Sequence, residues 1–549
     1  MSEKEEKNKN KSDDNVVNQS ARGITNLIFV QVITKLFTFL LNQLIIRYLT
    51  PSIIGITTYL DFIYSTVLFF SRESLRLSIQ RIQNDSNSDR SKANQKVVNF
   101  GRLALIIALP ILLVVGYWQA NYSMITTTLV QLPFHVLTVT LVFLLIVLEL
   151  VTEPIYCLYQ FQLDFGKRSK FEGLAILVKC VVTFMAVMVV RKYAVSQDYF
   201  TGAAISGFAL GQFSYSFTLF VCYFVSFKNE YSSKDVSYSL VQVKDDKEVY
   251  YFQPDILVLV RGFFVQMIFK QFLTEGDKLL ISYLCTIEEQ GVYAVIANYG
   301  SMVARLLFQP LEESTRLMFT KLLNGAGNDN SKYTQSYRYL KLISVFYFNL
   351  SLLILFAGVT NGSFLLKILM GGKASNWADT NIFEVFPQYV VYIPFLAFNG
   401  ILEALFSCMA TTSDLQSFSK FMTFITVAIL AILYLLIDRL DLRISGLILA
   451  NIINMIFRIV YCYLQIESYY LEHGIGISLG NVLRYTSPSI AVTGVVWAAQ
   501  LAVIGKYTTS FLQLILSAGM SVVVLLLLLV LERENLKQPL AKFIKRKSE

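Results

Sequence analysis

Residues 133–160 read PFHVLTVTLVFLLIVLELVTEPIYCLYQ. From Val136 to Leu148 every side chain is apolar or a threonine. Two glutamates, Glu149 and Glu153, then fall one helical turn apart, just before Pro154. A run of this length covers roughly 30 Å of hydrocarbon when wound as a helix. A membrane β-strand would instead alternate in polarity over about ten residues, and this stretch does not alternate. It predicts a transmembrane helix that carries two acidic groups near one end.

The rest of the chain has the same character. Hydrophobic residues make up 55% of the 549 and charged ones only 15%, against about a quarter in soluble domains, and mean hydropathy is +0.54. Long apolar runs recur from Ile24 to Val530, which predicts an all-α polytopic membrane protein of about fourteen helices. Lys and Arg test that count, because they accumulate on the cytoplasmic side. With a cytoplasmic N-terminus, the tails and even-numbered loops hold 29 of the 47 and the odd-numbered loops 7. Both termini are therefore expected in the cytoplasm.

The first 22 residues read as a polar, disordered tail without a cleavable signal. The six cysteines are scattered and the two histidines lie far apart in sequence. They suggest no disulfide framework and no metal site. No P-loop or catalytic-triad spacing is present, so no cofactor and no enzymatic activity are expected. Two N-glycosylation sequons, at Asn121 and Asn361, both lie close to spans.

Internal repetition narrows the architecture. Ser169-Lys170-Phe171 recurs as Ser419-Lys420-Phe421, and at the same offset Asp164 matches Asp414 and Glu153 matches Glu403. Ile205-Ser206-Gly207 recurs as Ile444-Ser445-Gly446, and Glu73-Ser74-Leu75-Arg76-Leu77 as Glu313-Ser314-Thr315-Arg316-Leu317. Leu44 to Leu49 resembles Leu279 to Leu284. Six spans separate the copies, so the halves are expected to be parallel repeats about an axis along the membrane normal. The expected segments are a tail to residue 22, a six-helix lobe at 23–226, a linker at 227–252 and a second lobe at 253–466. Two further helices at 467–531 and a basic tail at 532–549 complete the chain.

Charges within spans are costly and mark function. On the leading spans of the two halves they are Lys35, Arg47, Arg72 and Arg76, then Glu275, Lys278, Arg305, Glu312, Glu313 and Arg316. One reading is a cavity of net basic character, suited to a phosphate or pyrophosphate that arginine grips through paired N–H donors. The other has residues near helix ends snorkelling to the interface, with Glu73–Arg76 and Glu313–Arg316 merely bracing those ends. Glu149 and Glu153 have two readings as well: coupling to a proton or sodium ion, or hydrogen bonding between helices.

Leu273 to Lys278, Glu289 to Tyr293, Asn298 to Ser301 and Ala304 to Ser314 resemble the Rft family of endoplasmic-reticulum proteins. Lys35 to Leu49, Ser71-Arg72-Glu73 and Ile444 to Arg458 agree with it. The resemblance covers essentially the whole span region. It implies a MATE-like, two-lobe fold of the MOP flippase superfamily, embedded in the endoplasmic-reticulum membrane. It also implies a role in N-glycosylation, moving Man5GlcNAc2-pyrophosphoryl-dolichol from the cytosolic to the lumenal leaflet. Carried over to this chain, the family's basic cavity positions fall on Lys35, Arg47, Arg72, Arg76 and Arg305, and its acidic ones on Glu275, Glu312 and Glu313. The expected partners are the dolichol-linked oligosaccharide and membrane lipids, not nucleic acid, and a monomer is compatible with the sequence. Two alternatives stand beside the flippase: a non-translocating accessory of the same pathway, and a proton-coupled exporter of small molecules.

Overall fold

A computed structural model describes residues 37–532, apart from 83–88, 163, 232–235, 246–247, 324–329, 372–375 and 477–478. The chain divides into two compact units, Met1–Gln271 and Phe272–Glu549. In the first, α1 (Phe37–Ile46) is followed by α2 (Pro51–Ile79), α3 (Asp89–Tyr122), the short α4 (Met124–Gln131), α5 (His135–Phe161), α6 (Phe165–Tyr193) and α7 (Gln197–Tyr231). A two-stranded hairpin, β1 (Val243–Asp245) with β2 (Glu248–Tyr250), precedes α8 (Pro254–Leu284), which runs into the second unit. There follow α9 (Ile287–Val303), a π-helical turn (Ala304–Phe308), α10 (Gln309–Leu323), α11 (Asn330–Leu369) and α12 (Ile382–Met409). Then come α13 (Thr412–Tyr434), a second π turn (Leu435–Arg439), α14 (Arg443–Glu472), α15 (Leu479–Val503) and α16 (Phe511–Leu531).

Among the described residues, twelve helical spans are long and apolar enough to cross a membrane. Two expected spans are not among them, for different reasons. The 31-residue α8 is long enough but carries Lys270, Glu275, Asp277 and Lys278. The span expected at 24–49 falls largely outside the described residues, and only its end, α1, is seen. Outward helix faces are apolar, with Leu113 75%, Phe424 71% and Val495 71% exposed. In water, such surface would be covered by a partner; here lipid covers it. The chain is a multi-pass membrane protein.

Local chemistry sets the helix starts. Thr50 caps α2 by accepting from the Ile53 N–H, with Pro51 in the first turn. Thr286 with Glu289 and Thr411 with Asp414 form reciprocal capping boxes on α9 and α13.

Three of the four sequence echoes fall on helices that pack alike within each unit. In the first, α2 packs on α3 and α5, α3 on α5, α5 on α7, and α7 on α6. In the second, α10 packs on α11 and α12, α11 on α12, α12 on α14, and α14 on α13. The helices α15 and α16 have no counterpart in that scheme and pack on α11. Gly101 of α3 allows a close approach at the Pro154 kink, where an added Cβ would sit 2.5 Å from the proline Cα. That contact sets α3 against α5 beside Glu153.

The linker is tied to α3 by hydrogen bonds. Two buried side chains of α3 bind its backbone. Gln95 donates to the Ser237 and Ser239 carbonyls at 3.1 Å each and accepts from the Ser237 N–H at 2.7 Å. Asn99 donates to the Val241 and Tyr251 carbonyls at 2.6 and 2.9 Å. Arg102 lies over the Tyr238 ring and donates to its carbonyl, while the Tyr238 hydroxyl donates to Val151. Burial pushes the Tyr238 hydroxyl above its ordinary pKa, and Arg102 partly offsets this. Removing Asn99, which is fully buried and also accepts from the Val241 N–H at 3.3 Å, strands three backbone groups. Asn99→Ala should therefore cost about 1–3 kcal/mol, read as a lower melting midpoint in detergent and faster proteolysis between 232 and 253.

The Asn361 sequon lies inside α11, 5% exposed. Its amide donates to Ser517 and its carbonyl accepts from Thr508, both at 2.7 Å, which ties α11 to α16 and to the loop before it. We expect no glycan at Asn361, and glycosidase should leave the mass of a peptide containing it unchanged.

Candidate functional site

Unit 1 brings four intramembrane charges together on α2 and α5, with Ser216 of α7 beside them. Arg72 and Arg76 are one turn apart on α2, as Glu149 and Glu153 are on α5, so the two helices form two rungs. Arg76 grips Glu153 with both edges, Nε donating to Oε1 at 2.5 Å and Nη2 to Oε2 at 2.7 Å. Its guanidinium also stacks 3.9 Å from the Tyr156 ring centroid. Arg72 Nη1 donates to Glu149 Oε2 at 2.7 Å, and Ser216 of α7 donates to the other carboxylate oxygen at 3.0 Å.

Sequence spacing allowed Arg76 to pair with Glu73 on its own helix. It reaches across to α5 instead, because Glu153 is 1% exposed and an unpaired charge at that depth would cost far more than a surface pair returns.

The two rungs differ in what they leave available. Arg76 is occupied by Glu153 and Tyr156. Arg72 uses one nitrogen and its side chain is 23% exposed. Among the described residues its Nε and Nη2 make no hydrogen bond, so a second oxyanion can be met there without breaking the first pair.

Unit 2 builds its version differently. Glu403 stands on α12 as Glu153 does on α5, but its cation comes from α14: Arg458 Nη2 donates to Glu403 Oε2 at 2.5 Å. Asn399 adds a bond of 3.2 Å to the same oxygen. Arg316, the echo of Arg76, is held by Glu312 on its own helix at 3.1 Å and is half exposed. Glu312, Arg316, Asn399, Glu403 and Arg458 line a cavity of about 380 Å³. Arg458 Nε and Asn399 Oδ1 are buried there without a hydrogen-bond partner among the described residues. Gly400 leaves room for Glu312, whose carboxylate oxygen would lie 2.8 Å from an added Cβ.

The remaining expected positions divide as follows. Glu275 and Lys278 form a separate pair at 2.5 Å on α8. Glu313 and Arg47 are exposed. Lys35 lies outside the described residues, as does the side chain of Arg305, although its backbone forms part of the first π turn. Sequence reasoning did not single out Arg458 or Asn399. The available signal was a charge in the middle of an apolar span, two helices after the one that carries the repeat's second glutamate.

A model of the Rft protein family matches residues 19–542. The chain belongs to the Rft family. It is 60% identical over 542 residues to the Man(5)GlcNAc(2)-PP-dolichol translocation protein RFT1 of Candida albicans, covering 97% of this chain and 96% of the relative. It is 38% identical to the protein of the same name from Saccharomyces cerevisiae, over 83% and 84% of the two chains. Among solved structures, the fold of this Rft protein is similar to the lipid II flippase MurJ in an inward closed conformation. The TM-score is 0.58 at 12% identity, covering 92% and 99% of the two chains. An inward-facing MATE family transporter of the MOP superfamily gives a TM-score of 0.55 at 12% identity, covering 78% and 94%. The MATE-like fold that the family resemblance implied is thereby shown for this member of the Rft family.

Proposed function

We propose that this Rft protein moves Man5GlcNAc2-pyrophosphoryl-dolichol across the endoplasmic-reticulum membrane, from the cytosolic to the lumenal leaflet, to supply protein N-glycosylation. The observation that carries the reading is 60% identity over 97% of the chain to a relative named for that translocation. In this reading both chain ends face the cytosol, in keeping with the Lys and Arg asymmetry. The repeats correspond to lobes at 23–226 and 253–466, with the linker at 227–252 and the added pair at 467–531.

The charged groups supply chemistry that suits a pyrophosphate. Arg72 offers two uncommitted N–H edges in unit 1. Arg458 offers its Nε within a cavity already furnished with Asn399 and Arg316. Planar guanidinium donors bind phosphate oxygens in pairs and hold them more firmly than point charges do. Glu149 and Glu153 serve here to hold the arginines in place, since each already accepts from a guanidinium. With no nucleotide-binding loop in the chain, net movement follows the concentration difference that lumenal consumption of the product maintains.

Cells depleted of their own Rft protein and expressing this chain provide the test. Restored glycosylation of a secreted reporter and loss of accumulated Man5GlcNAc2-pyrophosphoryl-dolichol are expected. Unchanged accumulation, with the chain present in the membrane at normal abundance, would place it outside this pathway.

A further inference from the structure

Unit 2 contains a second cavity, of about 440 Å³, that shares no lining residue with the first. It lies between α11 and α16. Its wall is apolar, with Leu342, Phe346 and Leu353 from α11 and Leu525 and Leu529 from α16. Phe346, Leu525 and Leu529 are exposed, so this wall is open to the hydrocarbon around the protein.

One end is polar. Arg338 and Lys341, three residues apart on one face of α11, share that rim with Glu532, where α16 ends. Glu532 accepts from Asn349 at 3.2 Å, and Asn349 Oδ1 is buried with no hydrogen-bond partner among the described residues. The chain continues beyond Glu532 with Arg533, Glu534 and Lys537, which add one net positive charge to the local sequence.

Three features define the occupant. From Lys341 to Leu353 is about 18 Å along the helix, close to half of a hydrocarbon core of roughly 30 Å. The apolar wall is thus one leaflet deep, the reach of an acyl chain. Two cations against one carboxylate leave the rim with a single net positive charge, which matches a phosphodiester of one negative charge better than a pyrophosphate. The rim lies at a helix terminus, where lipid phosphates sit.

We propose that this cavity holds an anionic phospholipid of the surrounding bilayer. Its phosphate lies between Arg338 and Lys341, and one acyl chain lies along Leu342, Phe346 and Leu525. The lipid fills the seam between α11 and α16 and is a resident of the fold, separate from the translocated substrate.

Native mass spectrometry of the purified full chain tests this, with phosphatidylinositol and phosphatidylcholine added at equal concentration. One phosphatidylinositol should be retained in preference to phosphatidylcholine. Its affinity should fall roughly fivefold for each cation removed in Arg338→Gln and Lys341→Gln, from about 1 kcal/mol per basic residue near a lipid surface. Arg338→Lys should retain most of the preference, and Leu529→Trp, which narrows the apolar wall where the acyl chain lies, should weaken retention. Equal retention of the two lipids by the wild type overturns the proposal, as does phosphatidylinositol retention unchanged by both the double charge variant and Leu529→Trp. Where the charge variants fail to fold, the wild-type preference and Leu529→Trp decide. Displacement of phosphatidylinositol by dolichyl phosphate, one for one, would give the cavity to a polyisoprenoid and equally overturn it.

Discussion

Arg76→Ala should deplete the folded protein more than any other single truncation of the charged groups. The change leaves Glu153, 1% exposed, as a buried carboxylate that keeps only the weak Cys157 thiol contact at 3.5 Å and the more distant Arg72 guanidinium at 3.9 Å among the described residues. Breaking a buried pair by removing one partner costs about 3–5 kcal/mol, a large part of a typical total stability of about 5–15 kcal/mol. The measurement is the melting midpoint in detergent, together with the yield of monodisperse protein. The double replacement Arg76→Met with Glu153→Leu separates two explanations. Removing both charges should recover much of the loss, because desolvation of the lone carboxylate causes the damage. If the double variant is as unstable as Arg76→Ala, the cost lies in lost packing on Tyr156 instead.

Arg72 should give the opposite pattern: a modest effect on folding and a large one on lipid movement. Ser216 still supports Glu149 when the arginine is replaced, and the Arg72 side chain is 23% exposed. Arg72→Lys keeps the charge facing Glu149 but loses the planar fork that would take a pyrophosphate oxygen. Hydrogen bonds to charged groups contribute about 1.5–3 kcal/mol. Arg72→Ala should therefore slow translocation about ten- to a hundredfold, and Arg72→Lys about tenfold, with little change in the melting midpoint of Arg72→Lys. Rates that track stability across the two variants would make Arg72 a bracing residue only.

The contrast between these arginines shows where sequence reading reaches its limit. Helix existence was legible because each span must satisfy its backbone internally and face lipid, which writes long apolar runs into the chain. The order of the echoes was legible too, and the structure places three of the four on helices that pack alike within each unit. What the spacing rules could not supply was the partner of each charge. Arg76 has an acidic neighbour three residues away, yet pairs with one 77 residues away. Which of them wins depends on burial, a property of the packed helices. For the same reason the repeat hid a swap: Glu153 takes its cation from α2, whereas Glu403 takes its own from α14. Gln95 and Asn99 were invisible for another reason. Single amides that bind the backbone of residues more than 140 positions away leave no periodic signature.

Purified protein in vesicles, with labelled Man5GlcNAc2-pyrophosphoryl-dolichol, provides the most direct test of the central claim. Access of the glycan to an external lectin or glycosidase reports how fast the lipid crosses. The account predicts crossing that accelerates in proportion to the protein reconstituted and that Arg72→Ala slows while the protein remains folded. Crossing no faster than in protein-free vesicles, with binding of the lipid intact, would contradict it and leave a protein that handles the oligosaccharide lipid without translocating it.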